Sequence, residues 1–499
     1  MKESRREFLR RTGCALGMAA LATQMEHLGL VSALAQRSVY RPNFQPQDLT
    51  ADTGYKALVL VYLSGGVDGN NLVIPNHNST TVSNYSAYSA ARSVQGLAVD
   101  QSQLLPITVP RMGGLTYGLH PLLGPVSGGV NNGIYELWGQ GKMAIVTNVG
   151  TLVRPMTKTQ YQNGSVQKPY QLFSHSDQVA QSHTSVSSTQ AFTGWGGRIS
   201  DKMSLSSNPN ALIPMITSIA GAQLFTSGQL TLPLAIADAG TSLANVLNPQ
   251  GFTNTGGSAR LTAFNQIRGF DLSNNYIAAA SHITDLAMQA NAALQTSQEV
   301  TVTFPNTSIG RQLKQVARLI KKRTDLNVAR QVFYCQLGGF DTHNNQISSH
   351  NTLLPQFSQA VRAFYDEMVT QGISDSVTLF TLSDFSRTFN PAGSGSTVGT
   401  DHAWGNHMFV IGGSVLGGDF YGMNTSNGTP FPTLTIGSSG PDDTDSGSGA
   451  RGRWIPTTSV EQYAATLARW FGLPQDNATL TAVFPNILNF TTSNLGFLP

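Results

Sequence analysis

The stretch "VFYCQLGGFDTHNNQ" (332–346) places Asp341 and His343 just past an apolar run. A carboxylate and an imidazole are donor types that divalent transition metals take. Similar polar residues follow other apolar runs: Asp68 in "GGVDGNN", Ser174 and His175 in "LFSHSDQ", Asp384 in "LSDFSRT", and Asp401, His402 and His407 in "GTDHAWGNH". Asp68, Asp341, His343, Asp384 and His402 are candidate ligands for one divalent ion, or for two sharing a cleft. Zinc or manganese is the expected metal. Two ions about 4 Å apart can hold both the attacking and the leaving oxygen of a displacement. In that setting Ser174 is a candidate nucleophile, because coordination lowers a hydroxyl pKa. Arg387 is a candidate grip for an anionic group.

Each residue also has a plainer explanation. Asp68 between glycines could set a turn through its own backbone. Asp384 could cap a helix, leaving Arg387 on the surface. Ser174 and His175 are adjacent, so they do not easily face each other as nucleophile and base, and His175 reads as a substrate contact or a supporting residue. His77 and His120 read as structural, and His183, His282 and His350 as surface or helix residues. The joint placement at several strand ends is what favours a metal site.

The elements that must position these residues are legible. Continuous apolar runs at 56–63, 142–150, 329–339, 376–385 and 408–415 have the length and glycine boundaries of strands buried on both faces. Residues 308–323 carry Ile309, Leu313, Val316, Ala317 and Ile320 on one helical face, with Ser308 as the expected cap. A second helix is expected over 353–372, stopping at Gly372. Helix, strand, helix, strand predicts an α/β fold with a mostly parallel central sheet and helices on both faces. Such sheets gather ligands at the carboxyl ends of their strands. Residues 200–300 are expected to form an insertion packed on the main sheet.

The chain has 499 residues, 40% apolar and only 11% charged, with 50 glycines. A nucleic-acid binder needs dense Lys and Arg on one face, and this composition excludes it. The N-terminus reads "SRREFLRR", then "GCALGMAALATQ", then "SALAQ". Paired arginines, a short apolar run and an A-x-A site predict a twin-arginine signal over 1–35, handled by that export machinery. The expected location is periplasmic or extracellular. The apolar run is too short for a stable membrane span in the mature form. A linker at 36–55 would lead into a single domain at 56–499. Removing the signal lowers the net charge from +3 to +1 and leaves Cys335 as the one cysteine, so no internal disulfide is expected. Cys335 reads as an inert core residue.

Several blocks together resemble a bacterial family called domain of unknown function 1501: the export signal, "LVYLSGGVDGNNLVIP", "TGWGGRI", "QVFYCQLGGFDTHNNQ", the long block at 381–422, and "SVEQYAATLARWFGLP". That family is grouped with the alkaline phosphatase-like superfamily of phosphatases, sulfatases and phosphoglycerate mutases. The resemblance implies an alkaline phosphatase-like α/β sandwich with metals at the strand ends. It implies metal roles for Asp68, Asp341, His343, Asp384 and His402, with Ser174 as nucleophile. The superfamily usually separates its Asp and His by three residues, whereas one residue lies between Asp341 and His343. The implied activity is metal-dependent hydrolysis of a small anionic phosphate or sulfate ester. The alternative is a non-catalytic secreted protein that keeps the fold and binds a surface glycan or a partner.

Overall fold

The computed structural model describes residues 54–246, 255–269, 275–295 and 299–499. The expected signal segment and all but the end of the expected linker lie outside the described residues. The five apolar runs all form strands of one nine-stranded mixed sheet. Its strands are β1 (Lys56–Leu63), β2 (Met143–Gly150), β3 (Ile216–Ser218), β4 (Leu234–Ala235), β5 (Arg330–Leu337), β6 (Val377–Ser383), β7 (Asn406–Gly412), β8 (Phe420–Tyr421) and β9 (Thr458–Ser459). The order is β8-β2-β7-β6-β1-β5-β3-β4, with β9 pairing with β2.

β1 lies between two parallel partners, β5 and β6. Leu63 sits level with Leu337 and with Ser383, so three chains leave the sheet side by side at one edge. β7 runs antiparallel to both β6 and β2, which makes the sheet mixed. β2 consequently points the same way as β1. Within the range expected as an insertion packed on the sheet, β3 and β4 join the sheet itself and extend it beyond β5. A separate three-stranded antiparallel sheet joins Val73–Pro75, Leu105–Val109 and Leu115–Leu119.

Burial on both faces explains the unbroken apolar runs. Along β1, Ala57, Val59, Val61 and Leu63 enter one core, and Leu58, Leu60 and Tyr62 enter the other. This is the period-two alternation of a strand with apolar layers above and below. On the first face lie α3 (Ser308–Lys321), through Ile309, Leu313, Val316 and Ile320, and α4 (Gln346–Thr370), through Phe357, Val361 and Phe364. On the second lie α2 (Trp195–Ser207), through Trp195, Ile199 and Met203, and α5 (Val460–Phe471), through Tyr463, Leu467 and Phe471. Each such side chain contributes about 1.5–3 kcal/mol on burial. Cys335 is buried in the first core, as its setting suggested, and burial pushes its thiol pKa up.

The helix boundaries differ in two places. Thr307, not Ser308, caps α3, its side chain accepting from the Gly310 amide. α4 begins at Gln346 and takes Pro355 into its body, while Gly372 takes the left-handed conformation just past its end. No described helix is long and apolar enough to cross a membrane.

Candidate metal centre

The three chains leaving the sheet edge deliver the polar residues. After β5, Thr342 is buried at 2% exposure, whereas the side chains of Asp341 and His343 are 49% and 44% exposed. This strand-like alternation puts residues two apart on one side. A single intervening residue therefore lets the carboxylate and the imidazole meet, with His343 Nε2 lying 3.2 Å from Asp341 Oδ1. The loop after β1 approaches very closely. A Cβ on Gly65, which has φ 110°, would lie 2.4 Å from the Asp341 amide nitrogen. After β6, residues 386–388 pair across from 401–404, with Arg387 bridged to His402. Gly399 lets that return strand lie on the backbone of His343.

The other side chain comes from a helix. α1 (His175–Thr184) starts at His175, and Ser174 precedes it as the cap residue. The approach is unusual: Gln171 and Phe173 both have positive φ, 44° and 71°. A bulky residue there stores about 1–3 kcal/mol, so the surrounding structure must impose it. The Phe173 carbonyl accepts from His402 Nδ1 at 2.7 Å.

His175, Asp341 and His402 form a group whose donor atoms lie within 4.8 Å of one another. His175 Nε2 is 3.3 Å and His402 Nε2 3.6 Å from Asp341 Oδ1. His175 Nε2 is shielded from solvent and meets no hydrogen-bond partner. An orphaned imidazole nitrogen facing a carboxylate and a second imidazole fits a divalent cation. The Asp384 hydrogen bond raises the His175 pKa and outweighs the opposing effect of burial. Burial acts to raise the Asp341 pKa, but the hydrogen bond and charge of Arg387 bring it below the usual value. Burial lowers the His402 pKa, and the neighbouring His175 and Arg387 add to that.

The expected ligand set is divided by the structure. Asp341 and His402 come together, and His343 stands beside them. Asp384 stands behind the group: it is nearly buried, its Oδ2 lies 2.7 Å from His175 Nδ1, and its Oδ1 accepts from the Gly65 amide. Asp68 is placed elsewhere and corrects the expectation for it. It is fully buried, and its carboxylate takes hydrogen bonds from Arg92, Gln346 and the Asn70 amide, the last as a helix cap. That ion pair leaves Asp68 no free face for a metal. Gln346 links it to the site instead, through hydroxyl contacts from Thr342 and Thr400.

Two further expectations change. The Ser174 hydroxyl donates to Asp177 Oδ2 at 2.6 Å and is not a member of the donor group. The local cause is the turn into α1, which aims the neighbouring His175 at the site. Arg387 is fully buried and touches the group only by donating from Nη2 to Asp341 Oδ1 at 2.7 Å. Its guanidinium therefore holds a protein carboxylate and not an incoming anion. His407 is buried and accepts from the Asn148 amide. His183 and His350 lie on helices but are buried, not on the surface.

His175, expected as a substrate contact or a supporting residue, is instead a member of the donor group. The available signal was its place at the first position of a helix reached through a polar loop.

The chain belongs to the DUF1501 family, described as "Protein of unknown function (DUF1501)", which matches residues 55–430. A comparison with curated proteins gives no match. Among solved structures, one similar chain is the PsFucS1 sulfatase from Pseudoalteromonas sp., at 9% identity and a TM-score of 0.23, covering 79% of this chain and 68% of that one. At that score the likeness carries no argument about activity.

Proposed function

We propose that this DUF1501 protein is an exported metal-dependent hydrolase of phosphate or sulfate esters, with an alkaline phosphatase-like arrangement. The observation that carries this reading is the convergence of His175 Nε2, His402 Nε2 and Asp341 Oδ1 at the open, carboxyl edge of the sheet. Those residues would hold the ion, zinc or manganese. A bound divalent ion supplies a Lewis acid for an ester oxygen and makes water more acidic.

The chain's own residues do the positioning. Asp384 fixes the His175 ring, the Phe173 carbonyl fixes His402, and Arg387 holds Asp341 in its ionised form. Ser174 is tied to Asp177, so water is the nucleophile in this reading. The half-exposed Asp341 and His343 leave the group accessible to a small anionic ester.

A second reading is a non-catalytic binding protein that keeps the site. The inaccessible Arg387 favours it, because the guanidinium does not face an incoming anion. The test is hydrolysis of p-nitrophenyl phosphate and p-nitrophenyl sulfate by zinc- or manganese-loaded protein, with Asp341→Ala and His175→Ala beside it. Turnover that both variants abolish supports the enzyme. Metal retention with no turnover of either ester, or turnover the variants leave intact, refutes it.

A further inference from the structure

We propose that a cleft between the turn at 96–99, the turn after His120 and the first turns of α4 binds a small uncharged ligand, an apolar body carrying one hydroxyl, as in a phenol. His120 and His350 would hold that hydroxyl. The proposal depends neither on the metal group nor on hydrolysis. The cleft encloses about 280 Å³, and its walls include Leu97, Val99, Leu122 and Ile347 beside the two histidines. That space is several times the ~30 Å³ share of one liquid water.

Both imidazoles lie deep in the wall, at 8% and 2% exposure. His120 Nδ1 accepts from the Leu122 amide at 3.2 Å, so the neutral ring carries its hydrogen on Nε2. That N–H meets no acceptor among the described residues. The Nε2 of His350 is shut off from solvent without a partner, and Nδ1, with no partner either, is the nitrogen left to a ligand. Buried polar groups in folded proteins nearly always find partners, so two idle imidazoles on one cleft mark a place where a partner belongs. The rings stand edge to face with centroids 6.2 Å apart. One oxygen about 2.9 Å from a nitrogen of each ring fits between them. A hydroxyl meets both needs. It accepts from His120 Nε2 and donates its own hydrogen to His350, whose tautomer no other bond fixes.

Charge sets the rest of the ligand. Among the described residues no Lys, Arg, Asp or Glu lines the cleft. Arg92, which donates to the lining Asn71, is already paired with Asp68. Burial brings the His120 pKa down to about 3 and that of His350 to about 4, so both rings stay neutral. A carboxylate, phosphate or ammonium would enter without a counter-charge, which is costly. The aliphatic walls instead suit an apolar body oriented by one polar group.

The experiment is ¹⁹F NMR titration of the full chain, with a chelator present, using 4-fluorophenol, fluorobenzene and 4-fluorobenzoate. The proteins are wild type, His120→Asn and Ile347→Trp. Asn keeps a side-chain oxygen for the Leu122 amide but cannot supply the imidazole donor. Trp in place of the partly exposed Ile347 fills the cleft and leaves both imidazoles unaltered. 4-Fluorophenol should bind saturably with a Kd of about 1 mM or tighter, which suits a ligand of that size. Fluorobenzene and 4-fluorobenzoate should bind about tenfold more weakly or not at all, as loss of a hydrogen bond or burial of a charge requires. Each variant, with unchanged circular dichroism, should weaken 4-fluorophenol binding about tenfold. No saturable binding, equal affinity for fluorobenzene, or unchanged affinity in either variant overturns the proposal.

Discussion

Arg387 donates from Nη2 to Asp341 Oδ1 at 2.7 Å, while its Nε and Nη1 are buried with no acceptor. The guanidinium is fully buried and the carboxylate half-exposed. Asp341 thus neutralises a cation beneath it as well as facing His175 and His402 above. Asp341→Ala should destabilise the metal-free protein by about 2 kcal/mol, less than the ~3–5 kcal/mol of a fully buried pair. Adding Arg387→Met should restore most of that loss. Urea unfolding of the single and double variants measures both; additive losses would contradict the pairing.

Gly65 stands where the loop after β1 touches the chain after β5. A side chain there meets the Asp341 amide, and its φ of 110° is foreign to other residues. Gly65→Ala should cost at least about 3 kcal/mol, from backbone strain and the steric clash together. It should also displace Asp341, so zinc affinity falls even in the folded fraction. A variant with wild-type Tm and zinc affinity would show that the loop has room the structure does not show.

Asp68 and Arg92 form an ion pair with neither side chain exposed. Asp68→Ala leaves Arg92 buried without its counter-charge and should cost about 3–5 kcal/mol. The milder Asp68→Asn should fold and keep the wild-type zinc stoichiometry, because Asp68 lies outside the donor group. Loss of the bound zinc in folded Asp68→Asn, seen by elemental analysis, would return Asp68 to the ligand set.

The legible part of this protein was its apolar patterning. Each unbroken run became a strand because both faces of the sheet are covered, and burial acts on every residue of such a strand. Strand direction was less legible: β7 reads like its parallel neighbours, since antiparallel pairing changes the hydrogen bonds and not the side-chain burial. The first turns of α4, 346–352, are mostly polar and carry no apolar pattern to reveal them. At the site, Asp341 and His402 were readable because they follow strands directly or return beside one. Asp68 lies outside the group because its partner Arg92 comes from the end of a separate helix (Tyr85–Arg92), and local sequence does not show which carboxylates will meet an arginine. His175 depends on the positive φ of Gln171 and Phe173, residues whose types give no sign of that conformation.

Glu461 lies in the first turn of α5, where the helix dipole favours a negative charge. Burial overrides that preference. The side chain is wholly enclosed, neither carboxylate oxygen has a hydrogen-bond partner, and the pKa is pushed up to about 8. Nearby Arg198 is engaged by the carbonyls of Thr184, Thr193 and Val483. A raised carboxyl pKa means that the folded protein holds a proton the unfolded chain has released. Stability should therefore fall as pH rises from the unfolded value near 4.5 towards about 8, and level off above it. At pH 7 the penalty is on the order of 3 kcal/mol. Glu461→Gln removes the titration while keeping the shape, so it should raise Tm at pH 7 and 8 but scarcely at pH 4.5. Thermal unfolding of both proteins across that range decides the matter; an equal shift at every pH would mean that Glu461 ionises in the fold as it does in the unfolded chain.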